Sequence, residues 1–476
     1  MKLPKGVLDL MLSEKGSIIR WEPEFTRRFF RIAVPIILQM LVSASLNLVD
    51  NFMVSSLGDD AYSAVSQANR YTFVFQIFLF GCSSGSAIFL SQFWGKRDVK
   101  SVQKVMAINL RISVLVALLF ASFAMCAPEF IASWFLRAGA SRELAADYLR
   151  IVALGYLIQS VDNCFSATLK SCERTNIPMI AAIISILVNT FMNFCLIYGN
   201  FGLPRLGVKG AAIATVFAAA VSLTINVTLS YRKRLPSAIN KESFILPDKA
   251  FMKRFAKTIL PVILNEGLWS LGMMMYSVFY GNYGNEVVSG ISIFNTIDNI
   301  IYVLIYGIMN SSAIIVGMAI GADDFKAAKL YSKRMLIGGV MISVVLGIVM
   351  FFMRDSMVSL FSGVSDTARS TASVLLMLVS FALPIKCMNS VMIVGILRAG
   401  GDSLFSMILE IGTVWGIGVP LLAMAVYLWG LPIQLAFLFT FAEEIVKIAI
   451  SLPRYISGKW MHNLVKTGRV AKTDEC

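Results

Sequence analysis

The sequence predicts an all-α polytopic membrane protein, with twelve transmembrane helices in two pseudo-symmetric six-helix bundles. Three observations predict it. The 476 residues are 57% hydrophobic and only 15% charged, with a mean hydropathy of +0.74. Unbroken apolar runs of about 20 residues or more, the length a bilayer demands of a helix, recur from end to end. A transmembrane β-barrel would instead alternate polar and apolar residues in short segments. The third observation is an internal repeat. Moving the chain by 226 positions lays Pro35 on Pro261, Gly58 on Gly284, Gly95 on Gly321 and Lys100 on Lys326 without a gap. A move of 228 then lays Leu169, Lys170 and Thr175 on Leu397, Arg398 and Ser403, and Leu203 and Pro204 on Leu431 and Pro432. Each half holds six spans, an even number, so both start on the same side and the pseudo-two-fold axis runs along the membrane normal.

Span one is read over 29–56. It begins among Arg27, Arg28 and Arg31 and sets Gln39, Ser43, Asn47 and Asp50 at steps of four, four and three, which is one face of a 3.6-residue helix. Span two, 62–93, closes on the small-residue run GCSSGSAIFLSQFWGKRD. Span three covers 102–126, and span four, 144–170, carries Asp162 and Lys170. Span five, 177–199, repeats Ser185, Asn189 and Asn193 every four residues, and span six, 208–231, carries Thr215 and stops at Arg232, Lys233 and Arg234. A basic, proline-bearing linker, 232–250, divides an N-lobe, 29–231, from a C-lobe, 251–452. The C-lobe spans are read over 252–281, 287–319, 326–352, 368–397, 403–427 and 431–452, between a first segment 1–28 and a tail 453–476.

The net charge of +14 invites a nucleic-acid reading, but the basic clusters occupy alternate connections. They are topology signals, and by the positive-inside rule both termini are expected in the cytoplasm, with the protein multi-pass in the cytoplasmic membrane. Residues 1–30 are broken by charge and have no apolar core or cleavage site, so no secretory signal is expected there. The seven cysteines are scattered without a CxxC pair and read as reduced, small apolar residues, not disulfides or metal ligands.

Duplicated helical halves predict a transporter with a substrate site near the midplane between them. Asp50 is the first candidate, since a carboxylate inside the hydrocarbon costs several kcal/mol and needs a reason. At about 1.5 Å per residue it stands roughly 28 Å from Arg31, and Asn193 lies within a turn of the same depth. The C-lobe does not repeat this acid, because Tyr276 occupies the aligned place. It has its own ionisable set: Glu266, Asp298, Lys386 and Glu410. Glu266 lies roughly 13 Å from Lys257 and Lys386 roughly 18 Å from Arg398, level enough to pair. Asp298 shares a face with Asn295, Asn299 and Tyr302 and comes out level with Asp50. Asp162 stands two turns above Lys170, as a cavity residue or a packing contact.

The run VDNFMVSSLG in span one, GCSSGSAIFLSQFWGKRD closing span two, LVNTFMNFCLIYG followed by GVKGAAIAT across spans five and six, and ILRAGGDS after span ten together resemble the multidrug and toxic compound extrusion (MATE) transporters. The resemblance covers residues 25 to 455, and its specificity lies in the order and spacing of these runs. It implies two six-helix bundles around a V-shaped cavity, exporting organic, often cationic, compounds against entry of H⁺ or Na⁺. Asp50 matches the family's first-helix aspartate, thought to bind the coupling ion, and Glu266 resembles a span-seven glutamate of one branch. Well-known members carry an aspartate four residues after the span-five asparagine, where this chain has Asn193. That departure removes a carboxylate from a Na⁺ cage built on Asp50, Asn189, Asn193 and Thr215, and favours H⁺.

The expectation is therefore a secondary antiporter exporting small amphipathic, often cationic compounds in exchange for H⁺, with Na⁺ second. Asp50, Asn189, Asn193 and Thr215 are the coupling candidates, and Gln39, Asn47, Glu266, Asp298, Lys386 and Asp162 the cavity candidates. No cofactor, resident metal or nucleic-acid partner is expected, and the protein is read as a monomer. Two alternatives accompany it. A flippase for lipid-linked oligosaccharides would need several cations in its cavity, where Lys386 is the main deep one, with Arg70 and Arg111 nearer span ends. An intramembrane serine hydrolase would use Ser83, because GCSSG fits GxSxG. It also fits GxxxG, no strand precedes the serine and the one histidine, His462, is in the tail, so close helix packing explains the run better.

Overall fold

A computed structural model describes residues 23–136, 139–245, 247–361 and 363–466, apart from the side chains of Leu46, Asn47 and Leu48. The described residues are all-helical in their regular structure, and among them eleven helices are long and apolar enough to cross a membrane. In the N-lobe these are α1 (Pro23–Ser55), α2 (Asp59–Gly95), α3 (Val99–Cys126), α4 (Ala140–Ser171), α5 (Asn176–Tyr198) and α6 (Val208–Arg232). The C-lobe has α7 (Lys249–Tyr280), α8 (Asn285–Gly321), α9 (Phe325–Ser359), α10 (Asp366–Arg398) and α11 (Ser403–Leu428). The twelfth span, α12, comes in two consecutive pieces, Ile433–Leu438 and Thr440–Ile456, and carries Glu443, Glu444 and Lys447. A short helix, Pro128–Ser133, follows α3, and a single helical turn, Lys241–Phe244, lies between the lobes.

The repeat is visible helix by helix. Both α2 and α8 are 37 residues long, and each is followed by an aspartate, Asp98 or Asp324, whose carboxylate accepts the backbone N–H three residues on and caps the next helix. Pro35 and Pro261 each lie inside their helix.

The lobes meet along the half of the molecule that carries the described chain ends. A Cβ added at Gly81 would stand 3.0 Å from the Cα of Ile263, and one at Gly85 3.2 Å from the Cα of Ile259, so GCSSG is the small-residue face on which α7 lies. The contacts are reciprocal across the repeat. Gly307 faces Ile37 as Gly81 faces Ile263, and Gly95 meets the Met318 carbonyl as Gly321 meets that of Gln92. The ring contact Phe80–Tyr306 lies at the upper limit of this zone. Beyond it α2 turns to its own lobe, where the ring of Phe75 lies tilted 4.4 Å from that of Tyr156 and Tyr71 packs on Phe120.

After α12 the chain folds back under this junction. Trp460 is fully buried against Gly400, and Gln92 of α2 accepts the backbone N–H of Leu464 while donating to the His462 carbonyl. Lys96 donates to the Val465 carbonyl, and Asn463 donates to Ile320 O and to Asp323 after α8. One short segment therefore ties the ends of α2 and α8 together.

Candidate functional site

Two groups of buried polar residues stand out, one in each lobe. In the N-lobe, Asp50 of α1 accepts from Asn193 Nδ2 of α5 at 2.5 Å, and the same amide donates to Asn189 Oδ1 at 3.0 Å. Both asparagines are buried, and Asn193 Oδ1 and Asn189 Nδ2 have no partner. Thr215 spends its hydroxyl on the Ala211 carbonyl of its own helix and makes no hydrogen bond to Asp50, Asn189 or Asn193. The expected face of Asp50, Asn189 and Asn193 is thus assembled around a single carboxylate.

The C-lobe encloses a cavity of about 470 Å³ between α7, α8, α10, α11 and α12. Three of the residues expected in a cavity, Glu266, Asp298 and Lys386, line it. The expected pairing of Glu266 with Lys386 does not occur. Glu266 binds Arg398 at 2.6 Å, and Lys386 binds Asp298 at 3.3 Å. The reason is the length of the arginine. Although Arg398 ends α10, it turns inward instead of outward to the interface, is 2% exposed, and also takes Glu410 at 3.0 Å. Asn265 closes this cluster by donating to Glu410 at 2.6 Å.

A second cluster was not anticipated. On α12, Lys447 lies 3.3 Å from Glu443 and 3.0 Å from Glu444, Tyr276 donates to Glu443 at 2.8 Å, and Asn389 donates to Glu444 at 2.6 Å. A 228-position shift pairs Glu443 with Thr215 just as a 226-position shift pairs Tyr276 with Asp50. At this pair of positions the repeat therefore has its acid on the first helix of the N-lobe and on the last helix of the C-lobe. In all, five carboxylates and three cations line the cavity.

Two other cavity candidates line neither this cavity nor the smaller chamber beside it. Asp162 turns toward α6, where Ser222 and Asn226 donate to it at 2.8 and 2.7 Å, so it is a packing contact inside the N-lobe. Gln39 remains on α1 with its side-chain carbonyl buried and unpartnered. Asn47 lies in α1, and its side chain is outside the described residues. Ser83 donates to Asn163 of α4, which is a helix contact and supplies no base. Among the described residues no cluster of three or more metal-ligating side chains occurs.

The family model MatE matches residues 35–195 and 261–424, one stretch in each lobe. An uncharacterized transporter, YisQ of Bacillus subtilis, is 25% identical over 458 residues, covering 94% of this chain and 98% of its own. A probable multidrug resistance protein, NorM of Thermotoga maritima, is 22% identical, covering 94% and 95%. Among solved structures, a MATE in complex with MaL6 superimposes with a TM-score of 0.81 at 20% identity, over 94% of this chain and all of that one.

Proposed function

This chain belongs to the MATE family of multi-span membrane transporters, and from that premise we propose that it exports small amphipathic cations in exchange for protons, with Na⁺ as the second choice of coupling ion. The observation that carries the proposal is the excess of carboxylates in the C-lobe cavity, five against three cations, beside aromatic walls such as Trp269, Tyr302 and Phe441. A low-dielectric cleft of one charge sign concentrates ligands of the other. The probable multidrug resistance proteins among its relatives support the same reading. The flippase alternative needs several cations free to hold its ligand, whereas Lys386, Arg398 and Lys447 are each held by carboxylates, which leaves Lys170 of the neighbouring chamber as a single one.

Coupling is assigned to Asp50. Protonation would neutralise the acceptor of the Asn193 amide and loosen α1 from α5, and deprotonation would restore the clamp. Each ligand drives the exchange only as far as it discriminates between the two arrangements of the lobes. A single carboxylate with amide neighbours suits a proton better than a bare Na⁺, which prefers more oxygen ligands and more charge. The energy source is the ion gradient, without a cofactor, in a monomer whose termini face the cytoplasm.

The test is reconstitution in liposomes with a cationic dye and an imposed pH or Na⁺ gradient. A pH gradient is expected to drive dye movement, and Asp50→Asn to abolish that drive while dye binding persists. Full gradient-driven transport by Asp50→Asn would overturn the coupling role. Equal handling of cationic and anionic dyes would overturn the substrate class.

A further inference from the structure

Beside the main cavity lies a smaller chamber of about 130 Å³ between the lobes, and the two share Phe80, Val394 and Arg398. Its C-lobe wall is apolar apart from Asn310, whose amide NH₂ is taken by the Tyr306 carbonyl, and Arg398, which its two acids neutralise. Its N-lobe wall differs. Asn163, Ser166 and Lys170 line it from α4. They are spaced by three and four residues, which puts them on one helix face.

The repeat shows how unusual that wall is. The same three positions in the C-lobe hold Val391, Val394 and Arg398. Arg398 is cancelled by Glu266 and Glu410, but the positions equivalent to those acids in the N-lobe are Met40 and Ala182. Lys170 thus keeps the cation and lacks both counter-ions. No carboxylate of the described residues lies within ion-pair distance of it, and it makes no hydrogen bond. The acid nearest in its own helix, Asp162, is two turns away and occupied by Ser222 and Asn226. Around the ammonium the donors are in surplus. Asn163 accepts from Ser83 through its carbonyl oxygen, which leaves its NH₂ free, and the Ser166 hydroxyl is unengaged. An unpaired cation and two uncommitted donors in a half-buried chamber are complementary to one anionic group.

We propose that Lys170, with Asn163 and Ser166, docks a carboxylate of the transported molecule, so that the preferred substrates are amphipathic zwitterions. Their cationic end lies among the carboxylates of the C-lobe cavity and their acidic end in the chamber, with Arg398 forming the shared wall. This rests on the export reading above and narrows it from cations in general to molecules carrying both charges.

The test uses the full-length purified protein and two forms of one cationic xanthene dye, the free benzoic acid and its methyl ester, with binding followed by fluorescence polarisation. The wild type is expected to bind the acid about tenfold more tightly than the ester, the scale of one charge-assisted contact. Lys170→Gln should erase that preference and leave ester binding within about twofold. Lys170→Arg should retain it. Equal affinity for acid and ester in the wild type, which needs no variant to fold, would overturn the carboxylate site alone. So would Lys170→Gln weakening both dyes equally. Failure of both dyes to bind the wild type would instead overturn the export reading together with this one.

Discussion

Arg398 sets the electrostatics of the C-lobe. Its guanidinium holds two carboxylates in a region where an unpaired charge costs several kcal/mol, so the loss of one partner is worse than the loss of all. Arg398→Met is expected to destabilise the protein by about 3–5 kcal/mol, read as a fall in the thermal midpoint in detergent, and adding Glu266→Gln and Glu410→Gln should recover much of it. Asn193→Leu should cost about 1.5–3 kcal/mol by stripping the buried donor from Asp50, and the same thermal assay checks it. These residues also mark what the sequence could and could not disclose. Asp50, Asn189 and Asn193 were legible because an acid inside an apolar run demands a reason, the asparagines repeat every four residues, and rise per residue puts Asn193 within a turn of the depth of Asp50. The Glu266 partner was not, because a residue ending an apolar run is assumed to point to water, and whether a long arginine turns back into the protein depends on acids from other helices. Asp162 was ambiguous for the same reason, since only the packing of α6 decides which way it faces.

At the level of elements, nearly every span was legible from apolar run length, and the caps Asp98 and Asp324 show why the starts of α3 and α9 were well marked. The local winding was not legible. Val391–Arg398 in α10 and Val414–Gly418 and Met424–Leu428 in α11 are π-helical, and no residue in them announces it. The wider turn has a use at Gly418, where an added Cβ would collide with Tyr276 Oη and the Glu443 carboxylate. The bulge and the glycine together let α11 pass the Tyr276–Glu443 bond. Gly418→Ala is therefore expected to cost about 1–3 kcal/mol, and less in a Tyr276→Phe background that removes one of the colliding atoms. A double-mutant cycle on thermal stability measures the difference. The break at Phe439 in α12 likewise went unread, because the apolar run continues through it.

For the whole molecule, the reciprocal contacts of Gly81, Gly95, Gly307 and Gly321 make one end of the interface close-packed, and the segment from Trp460 to Lys466 fastens it. Replacing Asn463 and Lys466 by alanine should lengthen the separation of spin labels at Lys100 and Lys326, and an unchanged distance distribution would show that the helix contacts alone hold that end. The fastening also has a pH sign. Burial opposes ionisation of Asp323, but the hydrogen bonds from Lys466 and Asn463 and the charges of Lys466 and Lys96 outweigh it and hold the carboxyl below its ordinary value. Its contribution is then complete above the ordinary carboxylate range and lost only as the pH falls through the lowered value, so the same label pair should report closure at neutral pH and loosening in strong acid. The sequence foretold the two bundles through the repeat, but this segment has no repeat partner and little hydropathy, so nothing marked it as structural. Its place in the chain matters during biosynthesis. The residue that caps Gln92 is translated 372 positions later, and the one that holds Asp323 140 positions later. Until those residues have been made, the ends of α2 and α8 lack every contact this segment gives them, so the fastening is the last part of the described fold that can form.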